Sequence, residues 1–233
     1  VSQAEVAMPQ ITLLTGRIAP LPDTDQVSGI DKSVVDRPLQ LGTTGLEGDE
    51  QADLRVHGGP EKAVHHYPFD HYAAWRTDLG DLPILSTAGG FGENISTLGM
   101  TEDTVSVGDI FRLGGALVQV SQGRQPCWKL TRRIGVEDMA RRVQKTGRTG
   151  WYYRVLQAGQ VAPDDMIELV DRVAPDWTLH RLWHALYIDR MNLRELHGIA
   201  SLDVLADGWR RYAIRRLESG QVEDWSRRLE GGA

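Results

Sequence analysis

The sequence predicts an α+β protein: a β-rich unit with barrel or sandwich character over residues 1–172, then a small three-helix domain over residues 173–233. Three observations predict it. Short runs rich in β-branched residues, broken by Gly- and Asp-bearing turns, recur through the first 170 residues. Beyond Pro175 the apolar period lengthens, and Leu179, Leu182, Trp183, Leu186 and Tyr187 fall on one helical face. Composition changes at the same place: from residue 171 onward arginines balance acids and lysine is absent, so the whole net charge of −6 belongs to the residues before it.

Taken in order, Ile11–Ile18 reads as a strand and the proline-bearing stretch 19–24 as a loop. Strands are expected at Ser33–Val35, Ala63–Tyr67, Thr104–Val107, Ile110–Leu113, Ala116–Ser121 and Met166–Val170. Pro68 is placed to open a helix through Phe69, Tyr72 and Trp75, because its missing N–H costs nothing in a first turn. Glu137–Lys145 has acids first, bases later and Gly147 beyond, in the sense of the helix dipole. In the tail, Asn192–His197 allows a short helix, and Ser201 is expected to cap a longer one closed by Gly220.

The totals exclude several classes. Hydrophobic residues at 41% and charged residues at 25% fit a globular chain rather than a disordered one. A net charge of −6 argues against a nucleic-acid coat. No apolar run approaches the roughly 18 residues of a membrane span, and the first residues lack the pattern of a signal peptide. One cysteine in 233 residues makes a reducing, cytoplasmic setting the expectation.

That cysteine, Cys127, is the candidate for chemistry. It follows a hydrophobic run and lies between Arg124 and Lys129, with Pro126 stiffening the approach. Nearby cations favour thiolate, the form that attacks electrophiles and binds soft metals. Arg55, His57 and Lys62 flank Gly58-Gly59, so backbone N–H groups and positive charge converge where an anion would sit. No P-loop and no zinc-ligand spacing is present, and His65 and His66, adjacent on a strand, point to opposite faces. Gly89-Gly90-Phe91-Gly92 leads into Glu93-Asn94, a hydrogen-bonding clasp or an acid/base pair.

Together and in this order, Gly45-Leu46-Glu47-Gly48-Asp49, His57-Gly58-Gly59, Ala63 to Pro68, Gly92-Glu93-Asn94, Gly108-Asp109, Arg124-Gln125-Pro126-Cys127 and Gly147 to Tyr152 resemble the MOSC domain. The tail ending Glu223-Asp224-Trp225-Ser226-Arg227-Arg228-Leu229 resembles the YiiM branch of that superfamily. One departure stands out: Gly123 occupies a position where the family usually has proline, which implies a looser loop under Arg124.

The resemblance implies a β-rich barrel and a molybdenum cofactor, molybdenum on a molybdopterin, held by the Cys127 sulfur. It implies an enzyme, an oxidoreductase of N-hydroxylated compounds such as 6-N-hydroxylaminopurine, in which the N–O bond breaks with uptake of two electrons and two protons. Cys127, His57, Lys32 and Arg124 are the expected catalytic group. Arg55, Gly58, Gly59, Lys62, His66, Asp49, Glu93 and Asn94 are the expected cofactor-binding set. The chain carries no flavin, iron–sulfur or Rossmann motif, so a separate flavoprotein is the expected electron donor. A homodimer is expected from relatives; no nucleic-acid polymer and no membrane is expected as partner. Two rival classes stay open: a cofactor carrier or sulfur-relay module with a persulfide on Cys127, and a metal-free cysteine hydrolase pairing Cys127 with His57 or His66.

Overall fold

A computed structural model describes residues 8–53 and 58–231. Thirteen strands form among them: β1 (Thr12–Thr15), β2 (Ala19–Pro20), β3 (Val27–Ser28), β4 (Ser33–Val34), β5 (Leu39–Gly42), β6 (Gly45–Leu46), β7 (Val64–His66), β8 (Ile95–Ser96), β9 (Asp109–Leu113), β10 (Ala116–Gly123), β11 (Trp151–Gln157), β12 (Gly159–Val161) and β13 (Ile167–Arg172). Eight make one curled sheet in the order β13-β9-β10-β11-β7-β8-β1-β4. All its pairings are antiparallel except β7 with β8. The curl nearly closes. Gln10, just before β1, bridges Met166, and Ile11 N donates to Asp165 O at 3.0 Å. That contact joins the two distant ends of the sheet, which removes most of the exposed edge that an open sheet would present.

The barrel interior is apolar because strand positions alternate: Leu13, Val64, Phe111, Leu113, Val118, Val120, Trp151 and Tyr153 all turn inward and are buried. A second cluster packs α1 (Asp70–Leu79), α2 (Trp128–Ile134) and α3 (Met139–Thr146) against Tyr67 and Phe91. The helix expected from Pro68 is α1, and the one expected over Glu137–Lys145 is α3, closed by Gly147 in the left-handed conformation.

In the tail, Thr178 caps α4 (Leu179–Trp183) by accepting from Arg181 N, and the chain runs on as one wider π turn through Ile188. Asn192 caps α5 (Leu193–Ala200). The longest helix, α6 (Asp207–Ser219), ends at Gly220 as expected but starts late: Ser201 closes α5 instead of opening α6. A further short helix, α7 (Ser226–Glu230), completes the tail. No helix among the described residues is long and apolar enough to cross a membrane.

Some expected elements differ. Stretch 19–24 is not all loop, since β2 pairs with β3. Thr104–Val107 makes turns rather than a strand, with one bridge from Ser106 to Thr178. The Asp109 carboxylate explains it: it accepts from Ser106 N at 2.9 Å, and a local side-chain bond of that kind competes with a sheet ladder.

Candidate functional site

Strands β7 and β11 set His65 opposite Tyr152 and His66 opposite Trp151. Because faces alternate, His66 shares the inward face of Val64 and His65 faces out. His66 is fully buried, with Nδ1 2.9 Å from Tyr153 Oη and Nε2 2.9 Å from Thr97 Oγ1. Burial drives its pKa down to about 3, so the ring is neutral. The sequence pattern puts His66 at the cofactor. The structure corrects this: it is a satisfied core histidine, and His65 is the one that lines the cleft.

The cleft sits on the face of β7 and β11 away from the barrel core, where the chain leaves β10. It encloses a cavity of about 80 Å³ that opens into solvent at its mouth, less than the roughly 300–1,000 Å³ of a site that buries a whole small ligand. Lys32, Lys62, Arg124, Lys129, His65 and Cys127 line it, with Glu50 and Asp53 opposing them, so basic side chains predominate.

Each is placed by a local cause. Strand β10 carries a bulge between Val120 and Gln122, where Ser121 Oγ donates to Glu61 O at 2.6 Å. A bulge bends its strand and re-aims the side chains beyond it. Arg124 N then donates to Gly150 O at 3.0 Å, which fixes the backbone beneath the guanidinium. The Arg124 side chain is 5% exposed and hydrogen-bonds Tyr152, while its Nη1 is buried without a partner. Cys127 is half-buried at the start of α2.

Lys62 ends a 3-10 turn begun by Gly59. Gly58 and Gly59 do not line the cleft; their part is to deliver Lys62 to it. Burial pulls the Lys62 ammonium below its usual range, opposed by the charges of Cys127 and Asp53, which puts the thiol and the ammonium within electrostatic reach. His65 is pulled far down by burial and by the Arg124 charge, so it too is neutral, and its Nε2 is buried without a partner.

Lys32 pairs with Asp49 in near-complete burial. Burial lowers its pKa and Asp49 works against the fall. Asp49 therefore reaches the cleft only through Lys32, while also accepting from Gly16 N at 2.8 Å. Glu93 is not a cleft residue. It clasps the glycine loop, accepting from Gly89 N at 2.8 Å, Phe91 N at 3.1 Å and Tyr72 Oη at 2.6 Å. Burial raises its pKa. Asn94 borders the cleft, but its side chain accepts from His65 N at 3.1 Å and donates to Leu14 O at 3.3 Å, which pins β7. Arg55 and His57 lie outside the described residues.

Sequence reasoning missed His65, Tyr152, Gln125 and Lys129 as cleft residues. For His65 a signal existed: apolar Val64, two residues from His66, identifies the inward pair. The loop under Arg124, expected to be loose because of Gly123, is instead packed. A Cβ at Gly123 would lie 2.9 Å from Trp209 Cη2.

The donor set fits an anionic, sulfur-bound metal cofactor. Two buried atoms, the donor Arg124 Nη1 and the acceptor His65 Nε2, await partners, and a buried polar atom is costly to leave unpaired. A soft thiol stands beside them. No cluster of three His, Cys, Asp or Glu that would hold a metal by itself occurs among the described residues.

Barrel and cleft define the class, that of the MOSC domain, whose family model matches residues 53–168. Residues 177–220 match the YiiM-like, 3-alpha helix domain. The chain is 43% identical over 225 residues to Protein YiiM of Escherichia coli (strain K12), covering 95% of this chain and 98% of that one. The crystal structure of YiiM from Escherichia coli superposes with a TM-score of 0.81 at 37% identity, over 96% of this chain and 99% of that chain. A protein named Reductase from Gibberella moniliformis is 41% identical over 193 residues, which are 82% of this chain but 34% of that longer protein. The chain belongs to the YiiM-like family of MOSC-domain proteins.

Proposed function

We propose that the protein is a molybdenum-cofactor-dependent reductase of N-hydroxylated compounds, with N-hydroxylated purine bases such as 6-N-hydroxylaminopurine as its substrate class. The observation that carries the reading is the cleft itself: a half-buried thiol opens beside two buried, unpartnered nitrogen groups and among three lysines. A phosphate-bearing, metal-carrying ligand matches that set better than a neutral one does. The name Reductase on a relative supports reducing chemistry.

In this reading Cys127 Sγ is the protein ligand to the metal. Arg124 Nη1 and Lys62 Nζ bind the cofactor's phosphate, and the unprotonated His65 Nε2 accepts a hydrogen bond from a donor on the cofactor. When bound, the molybdenum centre would supply the two electrons that reduce the N–OH group and would take up its oxygen. Lys32 Nζ, buried and shared with Asp49, holds a proton at the cleft wall for the departing nitrogen or oxygen. Tyr152, which stacks toward His65 with ring centroids 5.0 Å apart, shields the floor from water. A separate flavoprotein delivers electrons. Residues 173–233 form a distinct helical unit of the same chain, and a homodimer is the working form.

Metal analysis and turnover test this together. Protein purified with its cofactor is expected to carry stoichiometric molybdenum and to convert 6-N-hydroxylaminopurine to adenine with a chemical reductant. Cys127→Ser is expected to lose the metal. Full molybdenum occupancy in Cys127→Ser would sink the ligand role, and molybdenum without turnover would leave a carrier.

A further inference from the structure

The segment that presents Arg124 and Cys127 has a back as well as a front. At the front it faces the cleft. At the back four of the six residues from 121 to 126 are held by the helical tail. Ala206 N donates to Ser121 O at 2.9 Å. The Trp209 ring lies flush against Gly123, where even a Cβ would meet it at 2.9 Å. Gln125 Nε2 donates to Tyr187 Oη at 2.6 Å. Arg228 Nη1 donates to Pro126 O, and its Nη2 reaches Gln144 Oε1, tying the same carbonyl to α3. The four contacts come from separate tail segments: the residue before α6, α6 itself, the π turn, and α7.

We infer that the tail is the positioning element of the Cys127 segment, with Tyr187, Trp209 and Arg228 as positioning residues that hold Arg124 and Cys127 toward the cleft. The barrel holds Arg124, through Gly150 O and Tyr152, but gives residues 125–127 no strand pairing. Strand β10 stops pairing at Gly123, and only the Arg124 N to Gly150 O bond continues the ladder. Residues 125–127 then belong to no strand or helix. A stretch so placed orders its side chains only if something outside it does the holding, since each unfixed residue retains about 1–2 kcal/mol of conformational freedom. Trp209 and Tyr187 suit that task. They are 3% and 9% exposed, seated in the tail's own apolar core, so their positions are already determined before they touch the segment. Gly123 is what admits Trp209 to the backbone.

The inference rests on geometry and does not require the metal. It is tested on the full chain produced without molybdenum cofactor, so that the Cys127 sulfur is not metal-bound, by the rate at which iodoacetamide alkylates Cys127 at one fixed pH, measured by mass spectrometry. Tyr187→Phe removes one hydroxyl and keeps the ring. Its alkylation rate is expected to rise about threefold to tenfold, the equivalent of one lost hydrogen bond in the opening equilibrium, with the melting temperature held close to that of the parent. Ile214→Val, on the exposed side of α6 and outside the clamp, is expected to leave the rate unchanged. Gly123→Ala is expected to raise the rate too, and adding Trp209→Phe, a smaller ring, is expected to bring it back toward the parent value. A merely structural role would not produce that reversal. Parent-like rates in both Tyr187→Phe and folded Gly123→Ala would overturn the inference; if Gly123→Ala does not fold, Tyr187→Phe decides alone. Molybdenum retained in Cys127→Ser would end the functional reading while leaving this result intact, so the two can fail separately.

Discussion

Lys32 carries an ammonium into a place nearly without water, and Asp49 is the reason it can. The pair has side-chain exposures of 6% and 1%. One Asp49 oxygen also accepts from Gly16 N, and the other has no partner. Removing the cation would strand a buried carboxylate, which typically costs about 3–5 kcal/mol. Lys32→Met is therefore expected to lower the urea midpoint markedly, and Lys32→Met with Asp49→Asn to regain most of the loss. If the double variant is no more stable than the single one, the pair is not what holds the two loops together. Residue types alone point to Lys32, Arg124, Lys62 and Cys127 because charge and softness are written in the side chain. They do not separate His65 from His66. That distinction lies in strand register, and Glu93 likewise reads as acid/base until its three donors are seen.

At the scale of elements, β7 shows how one strand serves two sides, and it gives the fold a pH dependence. His66 has a folded pKa near 3 because burial disfavours its cation, against about 6.5 in an unfolded chain. Between those values the unfolded state binds the proton and the folded state does not. Stability is then fully present above about pH 6.5 and falls as pH drops toward 3. Linkage puts the loss near 2 kcal/mol by pH 5. Urea unfolding at pH 7 and pH 5 should show it, and His66→Gln, which cannot titrate, should flatten that part of the difference. An unchanged pH response in His66→Gln would refute the assignment.

Elements are legible where a face alternates or a period holds, as in β9, β10, α1, α3 and α4. They are not where the signal is non-local. Trp151-Tyr152-Tyr153 opens β11 as an aromatic run whose faces are sorted only by β7 and β10 on either side. Ser201 has the chemistry of an N-cap, yet Leu202, Val204 and Leu205 are drawn into the tail core and delay α6 to Asp207.

For the whole molecule, the question is whether barrel and tail are two bodies or one. Strand β13 ends at Arg172 and α4 begins at Leu179, but the interactions ignore that gap. The tail's apolar cluster includes Val107 from the barrel. Leu179 N donates to Val105 O and His180 N to Glu102 O, both at 2.9 Å, while Val107 N donates back to Trp177 O at 2.9 Å. Trp183 spans further: its Nε1 donates to Gln144 O at 2.8 Å, and its ring lies 3.0 Å from where a Cβ of Gly147 would stand. Separating the parts would unmake these backbone bonds and expose Val107 together with the tail core, so neither part gains by melting first. Calorimetry is expected to show a single transition that coincides with far-ultraviolet circular dichroism and tryptophan fluorescence. Trp183→Leu, which removes the bond to α3 and part of the packing, is expected to cost about 3 kcal/mol. At this chain length that lowers the melting temperature by about 6–12 °C, and the transition should shift as a whole. A variant in which the tail melts early while the barrel keeps its parent temperature would show that these contacts do not couple the two, and the Cys127 segment would then lose its support before the barrel unfolds.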